Sequence, residues 1–373
     1  MKLTGVKMFY CKTPMTNMMF VKVMTDEGIY GVGEATVEGQ VKAVEQCVSV
    51  LFQRDVLGCD PTDINKIWQK MYRHGFWKGG YVHMTAVSAI DQALWDINGK
   101  IYNVPVYKLL GGAVRDKIKT YSHAFDVKMA EDVVKKGFAG VKTGEGKTMG
   151  VYDPIPNISF FKERLRDIRS AIGDDHVICI DNHGRATPDV AIRLMEAAKP
   201  YDIYFFEEPI PPENSKAYKR IREAAPDMTI AAGERLFSRF EYREVIEGQL
   251  LDAVQPDICH CGGITEIMKI AAMAETYHIK FDPHNPNGPV STAASLHAAA
   301  AAQNFDILEC ASNSIYGLDD VFQFGLKPKD GYFSLPEGPG LGIDFDEKAM
   351  EKYPYEFKQY APNYAVDGSV AEI

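Results

Sequence analysis

"VICIDNHGR", Val177 to Arg185, ends an apolar run on an acid, an amide, an imidazole and a glycine. Its first four residues suit a buried strand. Core packing gives no reason to place Asp181 and His183 where that run stops. Side chains two apart in a strand share a face, so Asp181 and His183 are expected to point one way and Asn182 the other. Runs of the same kind recur as "IKTYSHA", "GVKTG", "IYFFEEP", "TIAAGE", "AVQPDI", "IKFDPH" and "DILEC". With amphipathic helical stretches between them, eight strands predict parallel β/α units. An open doubly wound sheet would also fit the alternation, but eight units favour a closed barrel.

From the third strand on, each run ends in a residue able to bind a metal or move a proton. Asp181, Glu207, Glu234, Asp257, His284 and Glu309 follow at intervals of 26, 27, 23, 27 and 25 residues. One β/α unit takes about that length, so all six fall at the C-terminal ends of neighbouring strands, where such barrels build active sites. A polar residue at one strand end only marks the start of a loop. Six in register, all Asp, Glu or His, mark a site.

Asp181, Glu207 and Glu234 converge, and without a cation they would repel and raise each other's pKa values. A hard, oxygen-seeking ion resolves this, with Mg²⁺ the default because it keeps positions open for substrate oxygens. Glu208, next to Glu207, must face elsewhere and reads as a salt-bridged packing residue. Asp257 beside His284 fixes an imidazole tautomer and raises its basicity, which makes a general base. His183 is a second proton-transfer group, and Glu309 can share a proton with a substrate carboxylate. Together they read as abstraction of a proton α to a carboxylate, with a neighbouring hydroxyl leaving as water.

The chain has 373 residues, 46% hydrophobic and 25% charged, which is a globular composition. A formal charge of −10 disfavours nucleic acid and acidic membranes, so an anionic substrate must be attracted locally. No run of about 18 apolar residues occurs, so no membrane span is expected. "MKLTGVKMFYCKTP" lacks a secretory signal and the seven cysteines lack a framework spacing, both of which suit the cytoplasm. "CHC" at Cys259–Cys261 has no second ligand pair and is a poor zinc site. Residues 1–115 read as an α+β domain, with a hairpin at "TDEG" and helices from Val41 to about Gly99. Residues 116–320 hold the barrel, and 321–373 form a tail expected to pack back on both. "GVKTGEGKT" (Gly140–Thr148) misses the spacing of a phosphate loop, and "GVGEA" (Gly31–Ala35) lacks the third glycine of a dinucleotide site.

"DNHGR", "FFEEP", "AAGERLFSRF", "QPDICHCGGITE" and "DPHNPNGP", in this order, resemble the acid-sugar dehydratases of the enolase superfamily. The likeness lies in its mandelate racemase group and is closest to galactonate dehydratases. "GFWKGG" (Gly75–Gly80) and "AIDQALWDINGK" (Ala89–Lys100) resemble that family's capping domain. The resemblance implies a (β/α)7β TIM-like barrel under an N-terminal α+β cap, and a homo-oligomer. It implies Asp181, Glu207 and Glu234 as Mg²⁺ ligands, His284 with Asp257 as base, His183 as acid and Glu309 as enediolate stabiliser. It places part of the pocket near Thr13–Met18 and His74–Gly80, so His74 and Trp77 are candidates for the far end of the sugar. Lys142 is the first candidate to hold the anion and Arg235 another.

One departure bears on chemistry. Racemases of the superfamily carry Lys-x-Lys on the second strand, whereas here Lys142 is followed two residues later by Gly144. A single base argues against racemisation or epimerisation and for dehydration. A catalytically silent sugar-acid sensor on the same fold should have lost one of the six groups, and none is missing.

Overall fold

The computed structural model describes residues 1–144, 158–365 and 367–371. The end of the "GVKTGEGKT" stretch lies outside them. The chain opens with three antiparallel strands, β1 (Leu3–Lys12), β2 (Asn17–Thr25) and β3 (Tyr30–Glu34), with β2 in the middle. Alternation along β2 feeds two cores. Met19, Val21 and Val23 face α1 (Val41–Leu51), α2 (Ile64–Arg73) and α3 (Tyr81–Ile101). Met18 and Phe20 join the larger core, where Phe322 packs edge-on against Phe20 with centroids 5.0 Å apart. Phe345 lies edge-on to Phe9 and Tyr355 to Tyr10, so the C-terminal segment covers this sheet.

After α4 (Val106–Leu109), parallel strands alternate with helices. They run β4 (Lys117–His123), α5 (Val127–Lys135), β5 (Gly140–Thr143), α6 (Ile158–Ile172), β6 (Val177–Asp181) and α7 (Pro188–Ala198). Next come β7 (Phe205–Glu207), α8 (Tyr218–Ala224), β8 (Ile230–Ala232) and α9 (Arg239–Glu247). β9 (Ala253–Val254), α10 (Gly263–Glu275), β10 (Lys280–Phe281), α11 (Pro289–Ala301) and β11 (Leu308–Glu309) complete the set. Neighbours pair in order from β10 back to β4, and β11 then pairs with β4. The Phe281 N–H donates to Asn304 O at 2.9 Å and closes the ring, giving a (β/α)7β barrel. β12 (Tyr332–Ser334) adds antiparallel to β4.

Inside the ring Tyr121, Cys179, Phe205, Ala231, Ala253 and Ile307 form their own apolar layer. Two residues further along their strands, the pleat turns His123, Asp181, Glu207 and Glu309 inward, one layer above that floor.

Apolar spacing predicts one buried face for α3, yet it is buried on nearly every side from Met84 to Gly99. The cap sheet covers one side and α10 the other. A Cβ on Gly31 or Gly33 would lie 2.0 Å from Ala93 O or Ala89 O, so only glycine allows β3 this close. Two of the acids inside α3 take donors across the seam. The Asp96 carboxylate accepts from Val32 N–H at 2.9 Å, and Asp91 accepts from Thr265 N–H at 2.9 Å.

Candidate active site

Lys142, on β5, sends its buried ammonium into the middle of the strand ends. It lies 3.0 Å from Asp181 Oδ2, 3.1 Å from Glu207 Oε1 and 2.7 Å from Glu309 Oε1. Burial would drive the Asp181 and Glu309 carboxyls up, but Lys142 holds both well below the usual carboxylate range. Glu207 goes the other way: burial and the Asp181 charge push it well up. Against burial, Asp181 foremost and the other carboxylates keep Lys142 charged.

Carboxylate oxygens of Asp181, Glu207 and Glu234 lie within 4.8 Å of one another, and Glu207 Oε2 is buried with no hydrogen-bond partner. An orphaned oxygen in an all-carboxylate set fits a hard cation. Glu207, His284 and Glu309 also cluster within 4.8 Å, but there the imidazole is engaged elsewhere.

That engagement is specific. His284 Nδ1 is 2.8 Å from Asp257 Oδ2, and its Nε2 lies 3.0 Å from Glu234 Oε2. Against burial, Glu234 and Glu309 raise His284 well above the ordinary histidine value. Asp257 is buried and also accepts from Cys259 N–H at 2.7 Å and from Asn287 Nδ2 at 2.9 and 3.1 Å. Although burial opposes it, the nearby His260 and the His284 bond hold Asp257 below its usual range.

His183 meets Asp181 by a route that strand alternation does not describe. β6 stops at Asp181, and His183 takes a left-handed φ of 50°. Its N–H donates to Asp181 Oδ1 at 2.9 Å, and its Nε2 comes within 3.1 Å of Oδ2. The Asp181 charge raises its pKa. Glu208 diverges from Glu207, accepting from Arg235 at 2.6 Å and from Gly233 N–H at 2.9 Å.

The other candidates lie further out. Arg235 is committed to Glu208 and to His183 O. His74 pairs with the buried Asp55, and Trp77 is 88% exposed with its ring edge-on to Phe76. The cap touches loops beyond the barrel strands at two places, one from Met15 and one from Tyr81 at the start of α3. Met15 Sδ is 3.5 Å from Asn313 Nδ2 beyond β11, and the Tyr81 ring is 6.2 Å from that of Phe237 beyond β8. A Cβ at Gly144 would sit 2.9 Å from Asp181 O.

Sequence reasoning passed over His123, whose Nε2 hydrogen-bonds Glu309 Oε1. "IKTYSHA" carries that histidine next to its last residue, where β4 ends, but the register was counted from the third strand. It also passed over both asparagines of "DPHNPNGP". Asn287 holds Asp257, and Asn285 N–H donates to Glu309 Oε2 at 3.0 Å. In "CHC", Cys259 and Cys261 are buried, and His260 Nδ1 bonds Thr85.

Residues 4–111 match the model of the mandelate racemase / muconate lactonizing enzyme N-terminal domain, and residues 126–349 the enolase C-terminal domain-like model. A D-galactonate dehydratase of Ralstonia pickettii is 41% identical over 95% of this chain and 96% of its own. One of Cronobacter sakazakii is 40% identical over 95% of this chain and 96% of its own. An enolase of Agrobacterium radiobacter, a candidate galactarate dehydratase with sodium and L-malate bound, superposes with a TM-score of 0.90 at 33% identity, covering 100% of both chains. A candidate dehydratase of Mesorhizobium loti gives 0.88 at 33% identity, over 95% of this chain and 99% of that one. No described helix is long and apolar enough to cross a membrane.

Proposed function

Because the chain belongs to the mandelate racemase / muconate lactonizing enzyme family of the enolase superfamily, we propose that it is a Mg²⁺-dependent dehydratase of an aldonic acid, galactonate or an epimer. The product is the 2-keto-3-deoxy acid. The observation that carries this is the meeting of Asp181, Glu207, Glu234, His183, His284 and Glu309 around one end of the barrel. Two imidazoles face that spot from just beyond different strands, each beside a carboxylate.

Asp181, Glu207 and Glu234 would hold the ion. When bound, Mg²⁺ supplies positive charge that polarises the substrate carboxylate and offsets the Glu234 charge that keeps His284 protonated. His284, its tautomer fixed by Asp257, takes the C2 proton. Lys142 and His123, both held by Glu309 Oε1, bring hydrogen-bond donors to the far carboxylate oxygen, and Glu309 stabilises the enediolate through them. His183 protonates the departing 3-hydroxyl, and the enol ketonises. Gly144 leaves no second lysine for the opposite face, so one base acts and racemisation is disfavoured.

The test is a screen of the protein with Mg²⁺ against aldonic and aldaric acids, trapping 2-keto products with semicarbazide. A single strong hit names the substrate. Silence across the library with Mg²⁺ bound would point to an acid sugar outside it or to a non-catalytic sensor. In D₂O, His284→Asn abolishes C2 proton exchange on this reading, and retained exchange would move the base elsewhere.

A further inference from the structure

Glu34 closes β3 in the cap, yet its carboxylate is held at the N-terminus of α11, on the barrel side of the seam. Oε1 accepts from Gly288 N–H at 2.6 Å and from Thr36 Oγ at 2.7 Å, and Oε2 accepts from Ser291 N–H at 2.9 Å. The group is wholly buried, and that burial pushes its pKa up to about 7. Such a placement is costly unless both oxygens find donors, and these three bonds supply them. Its backbone N–H is held by Gln92 Oε1 at 3.0 Å. A Cβ on Gly288 would lie 2.7 Å from Glu34 Oε1, so the approach is tight.

From Gly288 and Ser291 the bonds continue inward. Ser291 Oγ donates to Asn285 Oδ1 at 2.7 Å, and Asn285 donates to Glu309 through both its backbone N–H and its Nδ2. Asn287 donates to both oxygens of Asp257. His284 begins the same segment. One end of this strap, residues 284–291, is fixed by β10 and the other by an acid of the cap.

We propose that Glu34 is a positioning residue, acting through Gly288 and Ser291 to align the Asp257–His284 pair and Glu309. Proton abstraction then depends on the cap being docked. The inference rests on the reading of His284 as base.

Glu34→Gln keeps the shape but turns an amide NH₂ toward a backbone N–H of the strap. The expected result is a kcat lower by about 10- to 100-fold, as for a displacement of an ångström or less. KM and the Mg²⁺ concentration for half-maximal activity stay within about 3-fold, and C2 exchange falls in step with kcat. The His284 Nδ1–H resonance, held by Asp257, shifts or broadens in the unliganded variant. A folded variant with wild-type kcat, or one with an unchanged resonance, overturns the inference, as would a loss confined to thermal stability. Should Glu34→Gln not fold, Ser291→Ala cuts the strap's next bond and is judged by the same two readouts. A wild type inactive on every acid would sink the proposed function instead, leaving the resonance to decide on Glu34.

Discussion

Lys142→Met keeps a stem of similar length and removes the ammonium that three buried carboxylates share. Removing one partner of a buried ion pair costs about 3–5 kcal/mol, because the remaining charge stays desolvated. Unfolding entropy near 2.1 cal/mol/K per residue gives about 0.8 kcal/mol/K for 373 residues, so Tm without metal should fall by about 4–6 °C. The loss should be larger at pH 8 than at pH 6, since protonation of a freed carboxyl relieves the repulsion. Mg²⁺ at about 100 times its Kd stabilises any protein by about 2.7 kcal/mol, or about 3 °C here. At equal Mg²⁺ concentration the variant should gain more than the wild type, because the ion no longer competes with an ammonium for Asp181 and Glu207. Scanning calorimetry with EDTA and with Mg²⁺, at both pH values, measures every term. A metal-free Tm within 1 °C of wild type, or a smaller Mg²⁺ gain in the variant, would refute the account of Lys142 as a counter-ion in the metal's place.

Asp257→Asn should lower kcat by about 10²–10⁴-fold by disrupting the base's tautomer, while the Mg²⁺ increment in Tm stays at the wild-type value; loss of that increment would show damage to the carboxylate triad instead. Gly33→Ala should cost about 1–3 kcal/mol, a Tm loss of about 1–4 °C by calorimetry, because its Cβ meets Ala89 O at 2.0 Å; an unchanged Tm would mean that β3 can lift off α3. His297 is buried and its Nδ1 accepts from Tyr107 N–H at 3.2 Å; burial lowers its pKa to about 4 from an ordinary 6.5. Between those values the unfolded chain binds the extra proton, so this group's contribution falls by about 3 kcal/mol as pH drops from 6.5 to 4. Urea titrations of wild type and His297→Gln across that range should differ in slope accordingly, and parallel slopes would show that His297 titrates normally.

What the sequence revealed and what it hid divide along a physical line. Strand-end intervals near 25 residues are a local property of β/α units, so Asp181, Glu207, Glu234, Asp257, His284 and Glu309 could be brought to one rim from spacing alone. Local geometry beyond the strand was less legible. Alternation put His183 beside Asp181, but the chain gets there by a left-handed turn at φ 50°, and a rule for extended backbone has no knowledge of that turn. For α3, period counting finds one apolar face, but burial on both sides depends on the distant β3 and α10, and its Asp and Gln residues look like surface until those partners arrive.

The residues that were missed are those whose partners come from far along the chain. His123 and Glu309 are 186 residues apart and meet because β11 closes beside β4. Glu34 and Gly288 are 254 apart and meet because the cap docks on the strap beyond β10. No period or motif records either closure. A candidate set on consecutive strands is therefore readable from spacing, whereas the groups that contact it from elsewhere are supplied by barrel closure and cap docking. Substitutions at Glu34 or His123 should accordingly change turnover although neither residue belongs to the periodic series.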